Sequence, residues 1–279
     1  MNIIDAIINL VTHPILELED ATFMNNRANN MGKALEDYVK DLFANSLECD
    51  TSDKLKRLEK TFSYLGNNNN PPDAMLFNGD AIEIKKIENM NSFLSLNSSY
   101  PKKKLLSTNN MLNESCRKAE IWDEKDIIYV VGVVSGKKLK HLCFNYGEDY
   151  AANQEVYKKI KNTIKCGIEN IHGVEFANTK ELGRINRVDP LGITYLRVRG
   201  MWGMENPWNV FDYIYKRDLK KKFNFMCIIN QEKWNKLTNA PKLLKLTETI
   251  EGLSVNDVKI KNPDNPSRLK DAKLIKFTA

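Results

Sequence analysis

One run of apolar residues constrains the fold of this chain more than any other feature. Residues 127–134 are Ile-Ile-Tyr-Val-Val-Gly-Val-Val, and most of their side chains are β-branched. A strand with one face in water alternates apolar and polar residues, whereas a strand covered on both faces is apolar throughout. The run therefore predicts the central strand of a sheet that is buried on both faces.

The patterns around this run predict a mixed fold. Apolar residues recur with helical spacing over residues 2–10, 31–47, 110–122 and 154–167. In the last of these helices we expect Val156, Ile160 and Ile164 to face inward. With a strand that ends at residues 64–66, two strands around an Asn-Gly turn and another at residues 139–146, the order becomes helix, three strands, helix, two strands. The predicted fold class is accordingly α/β (α+β), with a central mixed β-sheet flanked by helices.

Composition excludes several classes of protein. The five cysteines form no Cys-x-x-Cys pair and the three histidines are scattered, which argues against a zinc site and for a reduced, cytoplasmic protein. No apolar run is long enough to span a membrane, so we expect no membrane partner. The net charge of +6 is compatible with nucleic acid, although it is weak evidence by itself.

A hairpin is predicted at residues 67–87, where Asn78-Gly79 separates two apolar runs. Pro72-Asp73 precedes this turn and Glu83-Ile84-Lys85 follows it. Glu83 and Lys85 are two residues apart in a strand and therefore share a face. Two carboxylates and an ammonium at the end of a hairpin suit Mg²⁺, which takes carboxylate oxygens together with the phosphate oxygens of a substrate. Such an ion polarises the scissile phosphate and lowers the pKa of a bound water.

We therefore predict Asp73, Glu83 and Lys85 as catalytic residues, with Asp73 and Glu83 as metal ligands. Lys85 would orient or deprotonate the attacking water, or stabilise charge in the transition state. The pattern resembles that of the PD-(D/E)xK nuclease superfamily, in which a preceding helix often supplies another acidic residue near the metal. This resemblance makes Glu36 a candidate metal ligand. The alternatives are a surface glutamate at this position, and a solvated hairpin with a charged outer face.

The register of the hairpin decides whether this site can form. A two-residue turn would pair Asp73 with Ile84, so that Asp73 would face away from Glu83 and Lys85. Because the chemistry needs these side chains together, we expect a longer loop that includes Asp80, a bulge, or Asp73 just outside the regular strand.

Two further stretches carry side chains suited to DNA. In the loop after the hairpin, hydroxyl groups could bond phosphates and lysines could neutralise them; these residues are Ser98, Ser99, Tyr100, Lys102, Lys103 and Lys104. Residues 182–202 combine arginines with aromatic rings, namely Arg184, Arg187, Tyr195, Arg197, Arg199 and Trp202. An arginine can donate two hydrogen bonds to O6 and N7 of guanine in the major groove. A phosphate clamp and structural salt bridges are the alternative roles for these arginines.

The longer motifs are similar to those of one family. Asn-Pro-Pro-Asp-Ala-Met-Leu at 70–76, Glu-Ile-Lys-Lys-Ile at 83–87, Leu-Asn-Ser-Ser-Tyr-Pro at 96–101 and residues 187–202 resemble the NgoPII family of type II restriction endonucleases. The resemblance implies Mg²⁺-dependent cleavage of double-stranded DNA, a homodimer, the palindromic target GGCC, and a DNA methyltransferase as functional partner. A palindromic target fits a two-fold dimer.

The sequence predicts one domain with two halves, and it leaves two alternative functions open. With no internal repeat or clear linker, residues 1–279 predict a single domain, with about 1–150 as a catalytic core and about 151–279 as a DNA-recognition half. One rival function is a repair nuclease with the same core. The other is a sequence-specific DNA-binding protein without catalysis. Only a restriction enzyme should produce discrete fragments from unmodified duplex DNA, and the binding protein would never cut.

Overall fold

The computed structural model describes residues 1–19, 27–67, 70–96 and 99–279. Within these ranges the helices are α1 (Ile3–Thr12), α2 (Arg27–Ala44), α3 (Thr51–Thr61), α4 (Glu114–Lys118), α5 (Gly147–Tyr150), α6 (Gln154–Glu169), α7 (Pro207–Val210), α8 (Gln231–Lys236) and α9 (Ala240–Leu246). The strands are β1 (Phe62–Asn67), β2 (Asn70–Leu76), β3 (Ala81–Ile87), β4 (Leu94–Ser95), β5 (Lys104–Leu106), β6 (Glu124–Ser135), β7 (Lys138–Tyr146), β8 (Glu175–Phe176), β9 (Gly183–Asn186), β10 (Leu196–Val198), β11 (Gly203–Met204), β12 (Asn224–Asn230), β13 (Ser254–Asn262) and β14 (Asn265–Thr278).

A mixed sheet of nine strands forms the centre of the described structure. Its order is β1-β2-β3-β6-β7-β12-β14-β13, and β5 pairs with β6 beside this path. The pairs β3–β6 and β7–β12 are parallel, whereas the hairpin strands β2 and β3 are antiparallel. The predicted fold class, α/β (α+β) with a central mixed sheet flanked by helices, is confirmed.

Strand β6 is buried on both faces, as its sequence predicts. Ile128 and Val130 belong to a hydrophobic cluster that includes residues of α1 and α2. Tyr129 and Val131 point the other way and belong to a second cluster. None of these four side chains is more than 2% exposed. The continuous apolar run is explained by this double burial.

Helix α2 lies close to the sheet because β6 carries a glycine. A Cβ atom at Gly132 would lie 2.6 Å from Cδ2 of Leu35. Gly132 is opposite Lys86 in the β3–β6 register, so α2 crosses the strand of the predicted site. Leu35 packs in the same cluster as Ile84. The next residue along the helix, Glu36, is thereby carried close to β3.

One predicted helix is much shorter than expected. Of residues 110–122 only α4, Glu114–Lys118, is helical. The asparagine side chains explain the difference, because they hydrogen-bond nearby backbone groups in competition with a helix. Asn109 Oδ1 accepts from the amide of Met111 at 2.9 Å, and Asn113 Oδ1 accepts from the amide of Cys116 at 2.7 Å. The first interaction forms a turn, and the second caps the short helix.

Helix α6 forms as predicted, but its orientation was predicted wrongly. Val156, Ile160 and Ile164 were expected to face inward, yet they are 55%, 50% and 44% exposed. The side of the helix towards the protein instead carries Tyr157, which stacks on Tyr100 with ring centroids 5.6 Å apart. Periodicity predicts that one helix face is apolar, but not that the same chain covers it.

The C-terminal part of the chain completes the central sheet. Strand β12 pairs with β7, and β14 and β13 follow it to the far edge. The division into a catalytic core and a recognition half stays a prediction, but strands after residue 223 share one sheet with the hairpin. In the described ranges no helix has the length and apolar character needed to cross a bilayer.

Candidate active site

The hairpin of β2 and β3 has the longer loop that the chemistry requires. Ala74 pairs with Ile82 and Met75 with Ala81, and the amide of Leu76 donates to the carbonyl of Asp80 at 3.0 Å. This register is one residue away from that of a two-residue turn. It places position 73 opposite position 83, so both side chains lie on the same face of the sheet. The expectation of a loop that includes Asp80 is confirmed.

Buried polar contacts hold this loop in place. Lys125 Nζ donates to the carbonyls of Leu76, at 3.1 Å, and of Gly79, at 2.8 Å. The same ammonium forms an ion pair with Glu120, whose other carboxylate oxygen accepts from the amide of Asn78 at 2.9 Å. Asn78 has a φ of 49°, a left-handed conformation that asparagine tolerates better than most residues. The register is therefore fixed by side chains as well as by the strand ladder.

Asp73 lies just beyond the last paired residues of β2 and β3. Its Oδ2 accepts a hydrogen bond of 2.6 Å from the amide of Ile84, so the carboxylate replaces a carbonyl of the missing ladder. Pro72, which precedes it, has no N–H with which to continue the ladder. On the β1 side, Gly66 lies directly against the Asp73 backbone: a Cβ there would be 2.8 Å from the Asp73 Cα. Asp73 is thus fixed from both neighbouring strands.

Glu83 and Lys85 share the face that the sequence predicts for them. Glu83 Oε1 lies 2.7 Å from Lys85 Nζ, and the two side chains are 13% and 24% exposed. Across the parallel ladder, Glu83 is opposite Tyr129 and Lys85 is opposite Val131. Both side chains therefore lie on the face of the sheet that carries Tyr129 and Val131, beyond the last paired residues of β2 and β3.

The three groups perturb one another electrostatically. Burial, reinforced by the negative charge of Glu83, raises the pKa of Asp73 to about 7, although Lys85 and the amide of Ile84 oppose the shift. Burial alone would lower the pKa of Lys85, but the charges of Glu83 and Asp73 and the hydrogen bond to Glu83 outweigh it and raise that pKa. Lys85 is accordingly held as an ammonium ion.

Glu36 lies within electrostatic range of these groups but not among them. Burial raises its pKa, and the charges of Lys40 and Lys85 oppose the shift while that of Glu83 adds to it. Its closest cation is Lys40, with Nζ and Oε2 3.8 Å apart. Across the described residues, no three His, Cys, Asp or Glu side chains form a group that could hold a metal ion. The role of Glu36 as a metal ligand stays a prediction.

A basic groove lies next to this face. It has a volume of about 550 Å³ and is lined by seven lysines and three glutamates, among other residues. Five of the loop residues predicted to bind DNA contribute to it: Ser99, Tyr100, Lys102, Lys103 and Lys104. Ser98 lies outside the described residues. Met111 lines the groove and its carbonyl accepts from Asn70, at the start of β2, at 2.9 Å, which connects groove and hairpin.

Sequence reasoning missed the wall of the groove that α6 provides. Lys158, Lys161 and Lys165 line it, together with Lys180 from the segment that follows. Their spacing of three, then four, residues places the first three on one helix face. That spacing was the available signal, but the same helix also carries an apolar stripe, which predicted a different orientation.

The predicted arginines lie on a small sheet of β8, β9 and β10 and the turns around it. Arg197 and Arg199 do share a face, because both bind the carboxylate of Glu181 at 2.7 Å. Arg187 pairs with Glu175 at 2.6 Å, and the guanidinium of Arg184 lies 5.4 Å from the ring centre of Tyr195. The side chains of Arg187, Arg197 and Arg199 are 69%, 47% and 60% exposed, so these guanidinium groups are accessible to solvent, whereas the side chain of Glu181 is 13% exposed.

Trp202 connects the arginine-bearing segment to the groove. Its ring packs edge-on against Tyr100 and Tyr157, with centroids 6.2 Å and 5.7 Å away. Its carbonyl accepts from the amide of Leu96 at 2.9 Å, beside the short pairing of β4 with β11. Trp202 therefore lies in an aromatic cluster between the two predicted DNA-binding stretches.

Comparison with known proteins decides which family this is. The family model described as NgoPII restriction endonuclease matches residues 1–261. The chain belongs to the NgoPII restriction endonuclease family. It is 60% identical to "Type II restriction enzyme NgoPII" of Neisseria gonorrhoeae over 278 residues, which cover 99% of both chains. No solved structure matches the chain. Membership makes the chain a site-specific endonuclease that acts on double-stranded DNA, in a family that generally uses a divalent metal.

The candidate site of this NgoPII-family endonuclease fits a divalent cation. Oε2 of Glu83 is buried and has no hydrogen-bond partner in the described structure, an arrangement that is costly unless a cation or donor is supplied. Asp73, opposite it, engages one carboxylate oxygen with Ile84. Two neighbouring carboxylates, one of them with an unpartnered oxygen, match the few protein ligands that Mg²⁺ takes when water and phosphate complete its shell.

Proposed function

We propose that this NgoPII-family endonuclease makes Mg²⁺-dependent double-strand cuts in DNA at the palindrome GGCC. The observation that carries the proposal is the convergence of Asp73, Glu83 and Lys85 on one face of the sheet beside a basic groove. Asp73 and Glu83 would hold the metal ion, which polarises the scissile phosphate and lowers the pKa of a bound water. Glu36 stands as a further candidate ligand.

The protonation state of Lys85 favours one of its possible roles. Its pKa is raised by Glu83 and Asp73, so the side chain is an ammonium ion and not a free base. An ammonium can orient the attacking water through its donors and stabilise the negative charge that develops on phosphorus oxygens. We therefore assign to Lys85 orientation of the water and charge stabilisation in preference to removal of a proton.

The recognition of DNA is assigned to the groove and to the arginines. Lysines of the groove and the hydroxyls of Ser98, Ser99 and Tyr100 would contact phosphates. The exposed Arg184, Arg187, Arg197 and Arg199, with Tyr195 and Trp202 beside them, would contact bases, because each half of GGCC contains two consecutive guanines. On binding DNA, the solvent-exposed guanidinium groups of Arg197 and Arg199 would exchange the carboxylate of Glu181 for nucleic acid.

The remaining elements of the proposal concern assembly and protection. A palindrome is matched by a two-fold homodimer in which each subunit reads one half-site and cuts one strand. A DNA methyltransferase of the same specificity would protect host DNA. We expect methylation of a target cytosine to block cutting, since a methyl group in the major groove alters the surface that the arginines contact.

A digest of unmethylated plasmid DNA tests the function directly. Wild-type protein with Mg²⁺ should give discrete fragments whose ends map to GGCC, and the same protein in EDTA should give none. Lys85→Ala should lose cutting, while the exposed and ion-paired Lys259 provides a control, since Lys259→Ala should cut normally. Fragments that map to another sequence would refute GGCC but not the nuclease.

The same experiment separates the rival functions. Tight binding to duplex DNA with no cutting under any metal condition would favour a DNA-binding protein without catalysis. Cutting only at mismatches or branched structures would favour a repair nuclease with the same core. Full digestion of GGCC-methylated plasmid would contradict the proposed protection by a methyltransferase.

A further inference from the structure

The three consecutive lysines of the groove differ in their electrostatic environment. Lys103 Nζ lies 2.5 Å from Asp264 and 3.5 Å from Glu148, and Lys104 Nζ lies 2.5 Å from Glu124 and 3.9 Å from Asp126. Both are exposed enough to exchange these partners for phosphates. Lys102, in contrast, has no carboxylate partner within the described residues.

Lys102 is also the buried member of the three. Its exposure is 7%, and its Nζ donates to Ser99 Oγ and lies 3.5 Å from the carbonyl of Tyr100. An ammonium group has three donors. Two of them face these protein oxygens, and for the third no protein acceptor is found in the described structure. Lys102 is also one of the residues that line the groove, so an anion bound in the groove lies beside it.

The backbone of Lys102 is fixed by residues next to the candidate active site. Its amide donates to the hydroxyl of Tyr129 at 2.8 Å, and Tyr129 lies opposite Glu83 in the β3–β6 register. On the other side, a Cβ at Gly147 would overlap the carbonyl of Lys102. The position of this lysine relative to Glu83 is therefore set by a fully buried tyrosine and by close backbone packing.

Lys102 lies in the electric field of the candidate catalytic groups. Burial lowers its pKa to about 8, Glu83 opposes the shift, and Lys85 adds to it. A buried ammonium without a counter-anion is costly, and an anion that enters the site removes much of this cost. The substrate of a DNA endonuclease supplies such an anion at every phosphodiester.

We propose that Lys102 is a second cationic side chain of the cleavage site, in addition to Lys85, and that it binds the DNA phosphodiester at or next to the scissile bond. This inference rests on the proposed function, and it separates Lys102 from Lys103 and Lys104, whose charges are balanced by carboxylates. With its donors fixed before the substrate arrives, Lys102 holds the phosphate over Glu83 and Lys85. It stabilises the charge that grows on the phosphate oxygens during displacement.

Lys102→Met is the variant that tests this role. Methionine fills a similar volume without a charge, and it removes the cost of burying an ammonium group that has no counter-ion. We expect an unchanged or raised Tm in the DNA-free protein. In EDTA, the slope of log affinity for a GGCC duplex against log salt should become less steep by about one unit. The single-turnover rate of cutting with Mg²⁺ should fall about 100-fold.

Two companion variants make the result specific. Lys102→Arg keeps the positive charge, so it should restore the salt slope and cut at least about tenfold faster than Lys102→Met. Lys259→Met makes the same substitution at an exposed, ion-paired lysine outside the groove, and it should match the wild type in slope and rate.

The possible outcomes separate this inference from the proposed function. If the wild type cuts GGCC and Lys102→Met cuts equally well with an unchanged salt slope, Lys102 binds no substrate phosphate and the inference is overturned. A Tm lowered by more than about 5 °C in Lys102→Met would also overturn it, because the ammonium would then stabilise the DNA-free fold. If the wild type never cuts with Mg²⁺, the proposed function fails and this inference fails with it.

Discussion

Gly66 lies so close to Asp73 that no side chain fits between them. A Cβ at Gly66 would be 2.8 Å from the Cα of Asp73 and 2.6 Å from the carbonyl oxygen of Pro72. The contacts are with backbone atoms, which cannot rotate away as the end of a side chain can. Any residue larger than glycine at position 66 must therefore move the segment that carries Asp73.

The first prediction concerns this contact. Gly66→Ala should lower the single-turnover rate of DNA cutting about 100-fold, because a displacement near 1 Å of a catalytic group has an effect of that size. It should also lower the free energy of unfolding by about 1–3 kcal/mol, the usual effect of overpacking. Kinetics and urea denaturation measure the two effects.

Gly167 supplies the matched control for this variant. It lies in α6 and has no atom within 4 Å of the position where a Cβ would be placed. Gly167→Ala should keep the wild-type rate and slightly raise the stability, since alanine favours the helix. Wild-type cutting by Gly66→Ala would show that Asp73 tolerates displacement, which would count against its catalytic role.

The second prediction follows from the raised pKa of Asp73. Its pKa is about 7 in the folded protein against an ordinary value of 3.8, so between these values the folded state binds more protons than the unfolded state. The penalty for ionising Asp73 is absent below pH 4 and is fully present above pH 7. In metal-free protein, Asp73→Asn should therefore raise the Tm by a few degrees more at pH 8 than at pH 4. An equal shift at both values would contradict the raised pKa.

The third prediction concerns the free oxygen of Glu83. If Asp73 and Glu83 hold the cation, Mg²⁺ should raise the Tm of the DNA-free wild-type protein. At a Mg²⁺ concentration of 100 times Kd, the free energy of unfolding should increase by about 2.7 kcal/mol. Glu83→Gln should lose most of this response, because the amide supplies no negative charge. Glu88→Gln, at an exposed glutamate paired with Lys86, should keep it. An equal response in Glu83→Gln and the wild type would place the metal elsewhere.

The fold was largely predictable from the sequence because burial leaves a local signature. The continuous apolar run of β6 predicted a doubly covered strand, and the structure buries it on both faces. The register of the hairpin was predictable only from the requirement that Asp73, Glu83 and Lys85 share one face of the sheet. Asn78-Gly79 alone favours a two-residue turn, and the longer loop depends on Lys125 and Glu120, which lie more than 40 residues away. Such tertiary contacts have no local signal.

The candidate site was predictable in its hairpin and less so in its surroundings. Asp73, Glu83 and Lys85 follow from a short pattern, whereas the difference between Lys102 and its two neighbours depends on carboxylates from distant elements. The predicted orientation of α6 was wrong because two faces of this helix carry a regular pattern, one of apolar residues and one of lysines. Which face packs on the protein depends on Tyr100 and Trp202, far away in sequence.

The fourth prediction separates arginines that contact bases from lysines that contact phosphates. Arg197→Ala should weaken binding to a GGCC duplex about 10- to 100-fold and reduce the preference over a duplex with one substituted base pair. Lys165→Ala, in the groove, should weaken binding to both duplexes equally and make the salt slope less steep by about one unit. Competition binding in EDTA measures both. An unchanged preference in Arg197→Ala would assign this arginine to a phosphate or to its ion pair with Glu181.

The fifth prediction uses the unexpected exposure of the α6 stripe. Leu35 is fully buried against β6, so Leu35→Ala should lower the free energy of unfolding by about 2–5 kcal/mol. Ile160 is 50% exposed, and Ile160→Ser should change it by less than about 0.5 kcal/mol in dilute protein. Urea denaturation at several protein concentrations measures both variants.

A loss of stability above about 2 kcal/mol for Ile160→Ser that grows with protein concentration would mean that the stripe is covered by a second copy of the chain. Only an association contributes stability in proportion to the logarithm of protein concentration. The same loss without concentration dependence would return the stripe to the interior, where the periodicity of the sequence had placed it.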